Sequence, residues 1–203
     1  MTVRLSRSGR RLGVLISGRG SNLQAIIEAI ADGRLDATIA VVISNRADAV
    51  GLERALAAGL TTRVIDHRGY ATRQDYDRAV VAELESHGVE LVCLAGFMRL
   101  LSPFFVDSFP NRILNIHPSL LPDFPGLHPQ QQAIDHGAAM SGATVHFVNA
   151  ELDAGPVVLQ RTVPVLPDDT AVTLAARILV EEHKLYPEAI QRVLDALSST
   201  GNL

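Results

Sequence analysis

Between residues 12 and 117 the chain alternates short apolar runs with segments of helical period, and this alternation leaves few folds open. Residues 12–17, 37–44, 63–66, 91–95 and 112–116 are apolar runs of strand length. Between them, Leu23, Ile26, Ile27 and Ile30 fall at helical spacing. Residues 51–58 read as a helix ended by Gly59. Residues 73–87 carry Tyr76, Val80 and Leu84 four apart before Gly88 stops them. Strand and helix in strict alternation imply a parallel sheet with helices on both faces. Such sheets bind their ligands beyond the C-terminal ends of the strands. Ser21 and Gln24 fit a capping box, Gly33 a helix stop, and Ser102-Pro103 the start of a short helix through Phe109.

The second half follows another pattern. Residues 129–136 read as a short helix stopped by Gly137. Residues 143–148 alternate like a half-buried strand, residues 149–156 turn, and residues 157–165 form a second strand. Two strands joined by a short turn make an antiparallel hairpin. Asp169 is the expected cap of a long final helix through Leu174, Ile178, Val180 and Leu185, which Pro187 should kink or divide. The expected fold is therefore α/β: a Rossmann-like, mostly parallel twisted sheet with helices on both faces, then an antiparallel hairpin and a long last helix. No linker interrupts it. The 203 residues are expected to form one domain, large enough to need no disulfide or metal, with residues 1–10 and 198–203 loosely ordered.

Composition excludes some partners. A net charge of -4 and a pI of about 5.9 give no footprint for nucleic acid, though a local field could still hold an anionic small molecule. Cys93 is the sole cysteine and lies in the apolar run Leu91-Val92-Cys93-Leu94-Ala95, which reads as a buried thiol rather than a reactive one. The basic N-terminus lacks the apolar segment of a secretory signal, and no apolar run approaches membrane-spanning length. A cytoplasmic protein is expected, without a membrane partner.

Three stretches could carry chemistry. Gly18-Arg19-Gly20-Ser21-Asn22 joins the first strand to a helix N-terminus, where free N–H groups attract an anion. The same glycines would also serve a tight turn with no ligand. Asn115-Ile116-His117-Pro118-Ser119-Leu120-Leu121-Pro122 brings an amide and an imidazole out of a strand into a proline-stiffened loop. His117 has three readings: a structural histidine, a metal ligand or a catalytic group. Its setting favours catalysis. With His128 and His146 it invites a zinc site, but no close ligand pair is present. Asp153, in the hairpin turn, either bonds its own backbone or stands opposite His117, where a carboxylate favours the imidazolium. Asn115 adds an amide that can donate to an oxyanion. Ser119 lacks the strained elbow of a nucleophile, so the attacking atom should come from a substrate.

These residues carry a resemblance that spans most of residues 11–190. Ser17-Gly18-Arg19-Gly20-Ser21-Asn22-Leu23, Leu94-Ala95-Gly96-Phe97-Met98-Arg99, the Asn115–Pro122 stretch, Thr144-Val145-His146-Phe147-Val148, Leu152-Asp153-Ala154-Gly155-Pro156 and Glu182-His183-Lys184-Leu185-Tyr186-Pro187 together resemble the phosphoribosylglycinamide formyltransferases of purine synthesis. The resemblance implies formyl transfer from 10-formyltetrahydrofolate to the amine of glycinamide ribonucleotide, with no metal. It implies that Gly20, Ser21 and Asn22 hold the phosphate and Glu182 the ribose. It assigns Arg73, Met98, Arg99, Leu100, Leu101 and Asn115 to the folate, and Asn115, His117 and Asp153 to catalysis. The segment after His128, Pro129-Gln130-Gln131-Gln132, departs from the family pattern and leaves the role of His128 open. The implied assembly is a monomer or homodimer.

Related enzymes of the same fold are the nearest alternatives. A formyltetrahydrofolate hydrolase carries an N-terminal regulatory domain for which no room is seen before Arg11. A methionyl-tRNA formyltransferase would bring an RNA-binding domain and a basic surface. A binding module without catalysis would not need Asn115, His117 and Asp153 together.

Overall fold

The computed structural model describes residues 10–200. In chain order the elements are β1 (Arg11–Ile16), α1 (Ser21–Ala31), β2 (Thr38–Ser44), α2 (Val50–Ala57), β3 (Thr62–Val64), α3 (Arg73–Ser86), β4 (Leu91–Leu94), α4 (Pro103–Ser108), β5 (Ile113–His117), α5 (Pro129–Asp135), β6 (Met140–Phe147), β7 (Val157–Pro164) and α6 (Ala171–Thr200), with a 3-10 turn at His67–Gly69. The seven strands form one sheet in the order β3-β2-β1-β4-β5-β6-β7. The first five run parallel, and β6 and β7 join antiparallel.

Both faces of the sheet are covered, which is why its central strands are continuous apolar runs. Leu12, Val14 and Ile16 of β1 face a core built with α1 and α6, while Leu15 faces the core built with α3 and α4. Gly13 marks the closest approach of α3: a Cβ there would stand 2.4 Å from Leu84 Cδ2. Cys93 on β4 is fully buried, and burial pushes its thiol up to about 12, so it is not a nucleophile.

The helix boundaries follow the sequence more closely than the caps do. α1 begins at Ser21, but its N-cap is Gly20, at φ 68°, and no side chain bonds its first turn. Ser102 makes no side-chain cap on α4; its N–H donates to the buried Asp77 Oδ2 at 2.6 Å. At α6 the Thr170 hydroxyl accepts the Thr173 N–H at 3.2 Å, while Asp169 pairs with Arg177 and accepts from the Leu166 N–H. At α4 the tertiary partner Asp77 takes the Ser102 N–H, and at α6 a local cap forms one residue later than expected, at Thr170. Pro187 does not divide α6, which runs unbroken to Thr200. Burial of Tyr186, Ala189 and Ile190 against the sheet sustains it across the lost hydrogen bond.

The expected loose N-terminal end does not extend to Arg10, whose guanidinium is buried and bonds the Asp36 carbonyl at 3.0 Å and Asp195 at 2.8 Å. Residues 198–200 continue α6. Residues 1–9 and 201–203 lie outside the described residues. Among the described residues, no helix is long and apolar enough to cross a membrane.

Candidate active site

β1, β4 and β5 are neighbours in the sheet, so their C-terminal exits stand side by side. Each exit is one of the stretches singled out in the sequence. The β1 and β4 exits are tied together. Ser17 N–H donates to the Gly96 carbonyl at 3.1 Å, and Met98 N–H donates to Ser17 Oγ at 2.8 Å. Ser17 Oγ in turn donates to Asn45 Oδ1 at 2.7 Å.

The β5 exit holds the acid-base group. His117 is buried, and its Nε2 lies 3.0 Å from the Phe124 carbonyl. A carbonyl only accepts, so Nε2 carries a proton. His117 Nδ1 faces Asp153 Oδ2 at 3.4 Å. Both ring nitrogens thus look at acceptors, the arrangement that a doubly protonated imidazolium satisfies. Asp153 reaches this position from the β6–β7 turn with a left-handed backbone, φ 51°. It does not bond its own turn. The local turn bond is made by Asn149, whose Oδ1 accepts the Glu151 N–H at 3.0 Å. Asp153 Oδ2 instead accepts the Gly126 N–H at 2.9 Å, joining the hairpin to the loop after β5.

That loop is held from below. Thr144 of β6 is the register partner of His117 on one side and Gln160 on the other. Thr144 Oγ1 donates to the Ser119 carbonyl at 2.7 Å and accepts the Leu121 N–H at 3.0 Å. Gln160 Nε2 donates to the Leu121 carbonyl at 2.8 Å. Ser119 Oγ is spent on the Asp123 carbonyl at 2.6 Å, which removes it as a nucleophile. The sequence placed Thr144 and Gln160 on strands but gave neither this task, because only strand register brings them under the loop.

Asn115 lies on β5 with its Nδ2 3.2 Å from His146 Nε2. His146 belongs to β6 and is the register partner of Asn115. Its Nδ1 lies 2.9 Å from the Phe147 carbonyl, and burial holds its pKa below the ordinary 6.5. Asp153 Oδ1 is 3.7 Å from His146 Nε2, so the carboxylate stands between two imidazoles.

Gly20, Ser21 and Asn22 open α1. With no side-chain cap and no acidic residue in the first turn, the helix offers uncommitted N–H groups and the positive end of its dipole. Gly20 is also in contact with α2, since a Cβ on it would lie 2.5 Å from Gly51 Cα. Asn22 Nδ2 is not free for an anion: it donates to Glu182 Oε2 at 2.8 Å. Glu182 is buried, and burial raises its pKa above 4.5 while the Asn22 bond lowers it. Asn22 Oδ1 is buried without a partner, an acceptor aimed at no group of the described residues.

At the β4 exit Met98 and Leu100 are exposed, Met98 by 73%. Arg99 lies with its Cζ 4.9 Å from the Tyr76 ring centre, a cation–π contact. Arg73 is the exposed first residue of α3, one turn before Tyr76. His128 is exposed at the N-cap of α5, with φ 58°. Among the described residues no group of three or more His, Cys, Asp or Glu side chains is placed to hold a metal ion.

A family described as formyl transferase matches residues 10–190. The phosphoribosylglycinamide formyltransferase of Escherichia coli strain K12 is 48% identical over 182 residues, covering 90% of this chain and 86% of that protein. The human trifunctional purine biosynthetic protein adenosine-3 is 47% identical over 191 residues; the match covers 94% of this chain and 19% of the human protein. Among solved structures, glycinamide ribonucleotide transformylase 1 from Symbiobacterium toebii superposes with a TM-score of 0.92 at 52% identity, covering 97% of this chain and 92% of that one. The phosphoribosylglycinamide formyltransferase of Brucella melitensis gives a TM-score of 0.87 at 47% identity, covering 91% and 95%.

Proposed function

We infer the mechanism from one premise: the chain belongs to the formyl transferase family. It transfers a formyl group from 10-formyltetrahydrofolate to the amino group of N1-(5-phospho-D-ribosyl)glycinamide, giving the formylated ribonucleotide and tetrahydrofolate in de novo purine biosynthesis. The observation that supports our reading of the chemistry is the pairing of His117 Nδ1 with Asp153, on the same strand exit as Asn115.

The uncapped start of α1 at Gly20, Ser21 and Asn22 takes the phosphate, and Glu182 takes the ribose hydroxyls. Met98 and Leu100 offer apolar surface to the folate, with Leu101 and Asn115 completing its wall. Arg73 and Arg99 supply cations for its carboxylates. The substrate amine then attacks the formyl carbon directly, since Ser119 Oγ is committed to the Asp123 carbonyl and no other nucleophile stands beside His117 among the described residues. Negative charge develops on the formyl oxygen. Asn115 donates an amide N–H to it, and the His117 imidazolium, whose Nδ1 proton faces Asp153, offsets the charge. Asp153 keeps that proton on the ring and helps move protons away from the attacking amine. The same reading places the enzyme in the cytoplasm as one formyltransferase domain, a monomer or a homodimer.

A spectroscopic assay of 10-formyltetrahydrofolate with and without the ribonucleotide tests the transfer. Consumption should require the ribonucleotide, and consumption without it would mean hydrolysis. His117→Ala and Asp153→Asn should each lower turnover by about 10²- to 10³-fold in a chain that stays folded. Asparagine still accepts the Gly126 N–H but cannot balance an imidazolium, so near-wild-type turnover in Asp153→Asn would remove Asp153 from the mechanism.

A further inference from the structure

The mechanism gives no task to His146, although it is 2% exposed and touches the site. Its two nitrogens see opposite partners. Nδ1 faces the Phe147 carbonyl at 2.9 Å, an acceptor, so Nδ1 is protonated. Nε2 faces Asn115 Nδ2 at 3.2 Å, an amide nitrogen that only donates, so Nε2 is bare. The charged and titratable groups around the ring are Asp153, at 3.7 Å, and His117. Burial opposes a charge on His146 more strongly than Asp153 favours one.

An amide has a donor end and an acceptor end of nearly equal shape, so packing alone does not choose between them. A bare Nε2 chooses. It turns the Asn115 nitrogen toward β6, uses one N–H, and leaves the second N–H on the same nitrogen for an oxygen in the site. A ring with Nε2 protonated would draw Asn115 Oδ1 instead and change what the amide offers.

We propose that His146 is a positioning residue whose bare Nε2 fixes the Asn115 amide in the orientation that donates to the formyl oxygen. The proposal rests on the reading of Asn115 as an oxyanion donor, and the experiment separates the two. His146→Leu removes the acceptor; His146→Gln restores one, because its Oε1 falls near the place of Nε2. His146→Leu should lower kcat by about 10²-fold, the order expected for one misdirected donor, with both KM values unchanged. His146→Gln should recover about tenfold or more of that loss. His146→Leu should cost nothing further in an Asn115→Ala background, since the group it positions is gone. A residue that merely packs would lose activity in step with thermal stability and would show no rescue by glutamine.

An Asn115→Ala enzyme with wild-type kcat overturns the donor reading itself. If Asn115→Ala loses kcat but the leucine and glutamine variants are equally impaired, or leucine costs as much without Asn115 as with it, the positioning role alone is overturned. A measurement on the unaltered enzyme covers the case in which the variants do not fold. Nitrogen NMR of the His146 ring near neutral pH should show a protonated Nδ1 and a bare Nε2; the opposite tautomer or a doubly protonated ring overturns the proposal.

Discussion

Glu182 lies on α6 with its carboxylate buried against Asn22 Nδ2, and desolvation raises its pKa above the usual 4.5. The sign of the consequence is fixed by linkage. Below about 4.5 the carboxyl is neutral in folded and unfolded chains alike. As pH rises above that value the unfolded chain releases its proton, while the folded chain must hold the proton or bury a charge. Stability therefore falls with rising pH until the folded carboxyl has also ionised. Glu182→Gln keeps an acceptor for Asn22 and removes the titration. Its urea midpoint should exceed that of the wild type at neutral pH, with the gap closing near pH 4, while KM for the ribonucleotide rises. At this scale the sequence marked Asn115, His117 and Asp153 as residue types suited to the chemistry. It named His146 only as a candidate metal ligand, because its position opposite Asn115 exists only once β5 and β6 are in register.

α1 and α2 show how two elements share one constraint. Gly51 N–H donates to the Gly18 carbonyl at 2.9 Å, so the start of α2 clasps the turn between β1 and α1. A Cβ on Gly51 would stand 2.7 Å from Ile16 Cδ1, 3.0 Å from Gly20 Cα and 3.2 Å from the Gly18 carbonyl. Backbone cannot give way there as a flexible side chain can. Gly51→Ala should destabilise the fold by about 1–3 kcal/mol. It should also raise KM for the ribonucleotide, as steady-state kinetics would record, because the phosphate turn is what must shift. The periodic apolar residues revealed where these helices run, since burial of one face selects them. The caps differ from the expected ones because Ser21 is already the first helical residue after Gly20, Asp77 meets Ser102 at its N–H, and the Thr170 hydroxyl takes the place expected of Asp169.

Across the whole molecule, Tyr186 of α6 binds the long helix to the centre of the sheet. Its hydroxyl is fully buried and lies 3.0 Å from the carbonyls of both Leu94 and Leu114, near the ends of β4 and β5. One proton is shared between two acceptors, just behind two of the strand exits that carry the site. Tyr186→Phe leaves buried carbonyls short of a donor and should cost about 1–3 kcal/mol, read by thermal unfolding as roughly 2–4 °C in Tm per kcal/mol. The strand–helix alternation from residue 12 to 117 and the alternating hairpin after it were enough to determine an α/β sheet with an antiparallel edge, because period and burial are properties of the chain itself. The chain also determined which residues could act as donor, imidazole and carboxylate. Tertiary structure alone decided that Asp153 turns from its own backbone toward Gly126 and His117, that Asn22 bonds Glu182, and that His146 meets Asn115. Those contacts join residues 27 to 160 positions apart, and a hydrogen bond's direction is set by the partner it meets, which local sequence does not name.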